Sequence, residues 1–309
     1  MSLKRASIDR HTVGGWGVVL ALCACAASLS IASGQPPAVE IVGEAELFAP
    51  GIASTESSEV RLTVSPDGKT ALWFSRNRPG SAGGYDIWMS KRTADGWSEA
   101  KPVPFNSAKR DFDPAFSPDG RSIYFCSDRP GTLGGDDLYR VDVTKDGFGE
   151  PENLGAQINS AGNEWAPMLS ADAKLLLFSS DGRGGAGRMD LFTARRLNSG
   201  AFETARPLPG KINTPGDEFD ATFLSDSATV VFSKAANLRE DRINLVYSSL
   251  RDGSYDVGTM LPGSVNSSDQ DSYGPMLDWS RKDQLTFSSQ RKAHVGSVDL
   301  YVVRYRLSR

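Results

Sequence analysis

A single four-residue turn, repeated along the chain, limits the fold more than any other feature of the sequence. "SPDG" begins at Ser65 and again at Ser117, and degenerate copies follow as "SADA" at Ser170, "SDSA" at Ser225 and "SRKD" at Ser280, spaced by roughly 52–55 residues. Each copy leads into an apolar strand: "ALWFS", "SIYFC", "LLLFS", "TVVFS" and "QLTFS". A catalytic site is made once in most chains, so a feature present five times is scaffold. Cys126, which stands out among the acids and arginines of "SPDGRSIYFCSDRPGTLGGDDLYRV", holds the place taken by Ser75, Ser179, Ser233 and Ser288 in the other units.

Each unit continues through a glycine-rich or charged loop to a third strand, "DIWMSK", "DLYRVD", "DLFTAR", "NLVYSS" or "DLYVVR". A short polar turn and, in the first four units, a fourth strand follow. Four short strands per unit with no helical periodicity predict an all-β chain, a five-bladed β-propeller of four-stranded antiparallel blades. The last unit lacks a fourth strand. Residues 39–52 precede the first unit, and "AELFAPGIASTESSE" there resembles "GTMLPGSVNSSDQD", so the N-terminal strand is expected to complete the fifth blade and close the ring.

The chain has 309 residues, 39% of them hydrophobic and 23% charged, which is enough to bury a substantial core. Residues 1–34 are expected to stand apart from it, because Lys4, Arg5 and Arg10 precede the apolar run "VGGWGVVLALCACAASLSIASG" in the manner of a secretory signal. Cleavage before Gln35 would leave one propeller domain over 35–309, periplasmic or secreted, with no membrane span. A lipid anchor through Cys25 is the competing reading of "LCAC". With Cys23 and Cys25 in the signal, Cys126 has no intrachain disulfide partner. A formal net charge of -4 speaks against nucleic acid as a partner.

These repeats resemble the TolB-type, WD-repeat-like propeller repeats of bacterial envelope proteins, most closely those found beside OmpA-like domains. The residues that carry the likeness are "NEWAPMLS", "FDPAFSPDGRSIYFCSDRPGTLGGDDLYRV" and "FGEPENLGAQINS", and it extends over nearly all of the chain after the signal. Units four and five lack the Gly-Gly and Pro-Asp-Gly elements. No OmpA-like domain is among the 309 residues, so the anchoring role of that domain is not carried over. The chain is expected to be a monomeric binding or scaffolding module of the bacterial cell envelope, for a protein or an envelope polymer.

Asp86, Asp137, Asp190 and Asp299 open the third strands, where a carboxylate can hold the preceding loop by its backbone amides. The linkers between blades, "FNSAKRD", "INSAGNE", "INTPGDE" and "VNSSDQD", place Asn106, Asn159, Asn213 and Asn266 at turns, and Asp111, Glu164, Glu218 and Asp271 at the start of the next inner strand. Strand order brings these linkers and the glycine-rich loops to one face. Arg78, Arg129, Arg183, Arg239 and Arg291 lie on that face and are candidate binding residues; charge reversal at Arg129 or Arg239 is expected to spare stability.

Asp113 and Asp220 replace Arg61, Ala166 and Gly274 at the corresponding place on the inner strands and break the symmetry near the central channel. Both join the candidate binding residues, and paired carboxylates there admit a glycosidase-like hydrolase as the alternative function, a bound cation, or a pairing with Arg61. No cofactor or metal is expected, since His294 is the one histidine after the signal and no "GxSxG" or phosphate-cradling loop occurs.

Overall fold

The computed structural model describes residues 37–291 and 295–308. The expected signal segment, residues 1–34 with Cys25, and His294 lie outside the described residues. Among the described residues there is no helix, and the strands form five antiparallel sheets. Blade 1 runs outward from Ser58–Val64 through Thr70–Arg76 to Tyr85–Thr93, with an outermost strand broken into Gly96–Trp97 and Lys101–Pro102. Blade 2 repeats this order from Asp111–Phe116, blade 3 from Glu164–Leu169, blade 4 from Asp217–Phe223 and blade 5 from Ser272–Leu277.

In blade 5 the outermost strand is Val39–Leu47, paired antiparallel with the terminal strand Asp299–Leu307 from Val39↔Leu307 to Leu47↔Tyr301. The N-terminal segment therefore closes the ring.

Second strands are buried along almost their whole length because they are covered on both faces by neighbouring blades, and this is why they read as unbroken apolar runs. Leu72, Phe125, Phe178, Phe232 and Phe287 are buried at this level. The "SPDG" turns are held as hydroxyl–carboxylate hairpins: Ser65, Ser117 and Ser170 donate to Asp67, Asp119 and Asp172, each over 2.6 Å.

A bracket made from the linker fixes each blade to the next. Asn159 lies flat against the blade 2 third strand, where its Oδ1 accepts from the Leu138 amide at 2.8 Å and its Nδ2 donates to the Leu138 carbonyl at 3.0 Å. Asn106, Asn213 and Asn266 make the same pair of bonds to Ile87, Leu191 and Leu245. Ser54 of the N-terminal segment stands in for asparagine at the ring closure and accepts from the Leu300 amide. Asn159 is buried, so Asn159→Ala would leave the Leu138 N–H without a partner and its C=O with the Leu154 amide alone. We expect a loss of about 2 kcal/mol in urea unfolding. Asn159→Ser should cost less, as Ser54 shows that one hydroxyl suffices; an alanine variant as stable as the parent would remove the bracket from the account.

Candidate functional site

The residue after each linker asparagine ties the bracket to the next inner strand. Thr55, Ser107, Ser160 and Thr214 each donate through backbone amide and hydroxyl to Glu59, Asp111, Glu164 and Glu218. Blade 5 departs from the expected pattern. One extra residue precedes its bulge, so Ser272 rather than Asp271 occupies the buried inner-strand position and donates its amide to Ile243 of blade 4. Asp271 is displaced to the surface, where it accepts from the Ile243 amide.

Four of the five candidate arginines complete the brackets. Arg129 pairs with the buried Asp111, donates to the Phe105 carbonyl at 3.0 Å and covers the Phe125 and Tyr139 rings. Arg78 donates to the Ile52 carbonyl at 2.9 Å beside Glu59 and covers Trp88. Arg183 holds the carbonyls of Ile158 and Asn159. Arg291 reaches Val265 and covers Phe287 and Tyr301. Arg239 has no such role and is exposed. Reversing the charge at Arg129 would set a like charge against Asp111 in a buried pair, so the exposure on which stability was expected to be spared holds for Arg239 alone.

The second cluster lies on the axis. Every inner strand carries a bulge, and the bulged residue has a left-handed backbone in all five blades: Arg61 (φ 60), Asp113 (φ 53), Ala166 (φ 59), Asp220 (φ 48) and Gly274 (φ 61). Ser288, Cys126 and Ser233 of the preceding blades accept from the amides of Arg61, Ala166 and Gly274. Cys126 thus does the work of a scaffold serine; it is buried, and its thiol is pushed well up, by burial first and then by the Asp113 charge.

Arg61 is fully buried and extends from blade 1 to the Pro167 carbonyl of blade 3 at 3.3 Å, so its side chain crosses the ring. Among the described residues its Nε and Nη1 have no hydrogen-bond partner. Asp113 and Asp220 are 4% and 7% exposed. Burial, and then the neighbouring Asp220, push the Asp113 carboxyl up to about 8, against the pull of Arg61 and Arg76. Asp220 is also raised by burial, with Arg61, Arg76 and the Gly274 amide opposing. The structure therefore places at one level of the axis the two acids and Arg61, a pairing that the sequence reading already admits as one alternative. On the turn side, Phe116, Leu169, Leu224, Leu277 and Trp279 are buried, and the Trp279 indole donates to the Phe116 carbonyl of blade 2 at 2.9 Å. That end is closed by apolar packing.

The third feature is the row of loop tips on the linker face. The amides of Ala82, Leu133 and Val295 donate to Asp86, Asp137 and Asp299, the carboxylates that open the third strands. The glycine after each tip sits on the next linker: a Cβ on Gly134 would lie 2.4 Å from the Gly162 carbonyl oxygen. The tip is therefore fixed from below and behind, and its side chain faces water. Leu133 and Val295 are 53% and 43% exposed. Sequence reasoning passed over both in favour of the arginines; the hydrophobic residue before "GG" or "GS" was the available signal.

No family model matches the chain, and no curated protein matches it in sequence. Among solved structures, the α-L-arabinofuranosidase of Lactobacillus brevis superposes with a TM-score of 0.52 at 12% identity, covering 82% of this chain and 90% of that one. The α-L-arabinofuranosidase PaAbf62A of Podospora anserina gives 0.51 at 10% identity, over 88% and 97%. TolB of Acinetobacter baumannii gives 0.49 at 15% identity over 81% of this chain, which spans 56% of that protein. Likeness at these identities reaches the fold and no further. Strand order, ring closure and these superpositions agree on one architecture: the chain is a five-bladed β-propeller.

Proposed function

We propose that the protein is an exported binding module of the bacterial cell envelope, residues 35–309 being the working domain once residues 1–34 are removed, and that it takes a protein partner on the linker face. The observation that carries this reading is the pair of exposed apolar tips, Leu133 in blade 2 and Val295 in blade 5, on backbone fixed by Asp137 and Asp299. Blade 1 lies between them with Ala82 at the same position, so the three tips form an arc. Rigid apolar side chains over a polar surround suit a protein surface, since little conformational freedom is lost when they are covered. The blade 5 loop also lines a groove of about 780 Å3 with Asn266, Gln270, Gln290 and Arg291. Arg239 belongs to the same face as an exposed charge, whereas Arg78, Arg129 and Arg183 support it from beneath.

The hydrolase reading rests on Asp113 and Asp220. Both carboxyls are enclosed and share their surroundings with Arg61, and a polymer substrate needs an open cleft at its acids. Binding is therefore the reading favoured.

A photo-crosslinking amino acid placed at Leu133 or Val295 should give adducts in envelope extract. The same probe at Leu197 or Leu250, exposed apolar residues of the opposite turns, should not. Leu133→Asp should weaken capture by about 10-fold with an unchanged melting temperature. Equal adducts from both faces would refute the assignment.

A further inference from the structure

The axial chamber has a chemistry that the docking face does not use. Five bulges aim five side-chain positions at one axis; two of them, Ala166 and Gly274, carry almost no side chain and so add little bulk beside the other three. Arg61 enters with a full positive charge and with Nε and Nη1 unmatched by any acceptor among the described residues, and it senses both carboxyls. Unmade hydrogen bonds on a fully buried cation are costly, so a partner that supplies acceptors there is strongly favoured.

A simple anion would satisfy Arg61 but face two carboxyls. A simple cation would satisfy the carboxyls but face Arg61. A small molecule with both charges on neighbouring atoms satisfies every group and leaves the net charge of the chamber unchanged.

We propose that the axial chamber binds the ammonium–carboxylate end of an α-amino acid, its carboxylate on Arg61 and its ammonium on Asp113 and Asp220. The closed turn side, packed with Trp279 and Phe116, leaves the linker face as the way in. There the residues that precede the five bulges form a collar. Val60, Phe112 and Phe219 are buried in it, whereas Trp165 and Tyr273, next to the two small positions, are half-buried. Entry runs between those two rings, and the indole of Trp165 is fixed by its bond to Asp136 at 2.9 Å. The site is independent of the docking face: either can fail without the other.

Binding of this kind has a proton signature. Asp113 is faced by Asp220, Arg61, Asp136, Arg76 and the Cys126 thiol. An ammonium group beside the two carboxyls favours their ionised forms, so a proton leaves Asp113 when the ligand enters near neutral pH. A carboxylate ligand would act in the opposite sense, and a diol would release nothing.

Calorimetry with glycine and alanine as probes tests this, with acetate, methylammonium and ethylene glycol as controls, at pH 7 in two buffers of different ionisation enthalpy. Binding of glycine or alanine with net proton release is the expected result. Asp220→Asn and Arg61→Lys should each weaken it by about 10-fold or more. Should either variant fail to fold, the buffer dependence of the unaltered protein decides alone. No heat with either amino acid, binding of acetate or ethylene glycol as tight as that of glycine, or the absence of proton release would overturn the proposal.

Discussion

Deletion of residues 39–52 is expected to destabilise the entire ring. The segment supplies the outermost strand of blade 5, and its Phe48 amide donates to the Leu300 carbonyl at 2.8 Å. It also carries the Ile52 carbonyl that anchors Arg78, and Phe48 packs on Trp97 of blade 1. Truncation would bare the edge of Asp299–Leu307, uncover Tyr305 and Val303 from the core, and leave the Arg78 bracket without its acceptor. Losses of this extent approach the whole stability of an ordinary domain, about 5–15 kcal/mol. Unfolding should remain a single transition at a much lower temperature, since each blade is bracketed to the next and none can melt alone. A truncated protein that melted with the parent would show that the ring is closed in some other way.

The second large effect concerns the axis. Asp113 in the unfolded chain loses its proton near pH 4, but in the folded protein it keeps it until about 8. Between those limits the folded state binds more protons than the unfolded state, so stability falls as pH rises. Asp113→Asn has nearly the same shape and cannot ionise. Its advantage over the parent should grow from pH 4 to pH 8, reaching on the order of 5 kcal/mol, and then level off. Glu59, Glu164 and Asp278 are also raised by burial and slope the same way, but they are present in both proteins and cancel in the difference; Asp220 and Asp136 face Asp113, so their interaction with its charge is part of that difference. Parallel melting curves across that range would show that Asp113 ionises as an exposed carboxyl does.

The repeat made the blade architecture legible because its turn and its apolar second strand are each dictated locally, the turn by Ser and Asp side chains, the strand by burial on both faces. The linker asparagines were legible as turn residues. Their second function, bonding the preceding third strand, depends on two distant segments meeting and has no local signal. Arg129 was placed on the surface by the same limitation: it is distant from Asp111 in sequence, yet the hairpin pairs Asp111 with Ser127 and brings the arginine back over the acid.

The axial cluster was half visible. Asp113 and Asp220 stood out as departures from symmetry, but left-handed backbone at Arg61, Asp113 and Asp220 is not announced by their side chains, and Gly274 alone hints at it. The extra residue that replaces Asp271 by Ser272 at the buried position escapes sequence reading for the same reason, since the spacing to the next turn is absorbed inside a bulge.

Symmetry builds the scaffold in this protein, and the departures on its axis build a coupled, buried site; the carboxyl carbons of Asp113 and Asp220 report on that directly. A pH titration of their side-chain 13C shifts in the folded protein should show Asp113 changing near pH 8, with an inflection that disappears in Asp113→Asn and moves down in Asp220→Asn, where the like charge is gone. Titration of both carboxyls below pH 5, independently of each other, would contradict the account.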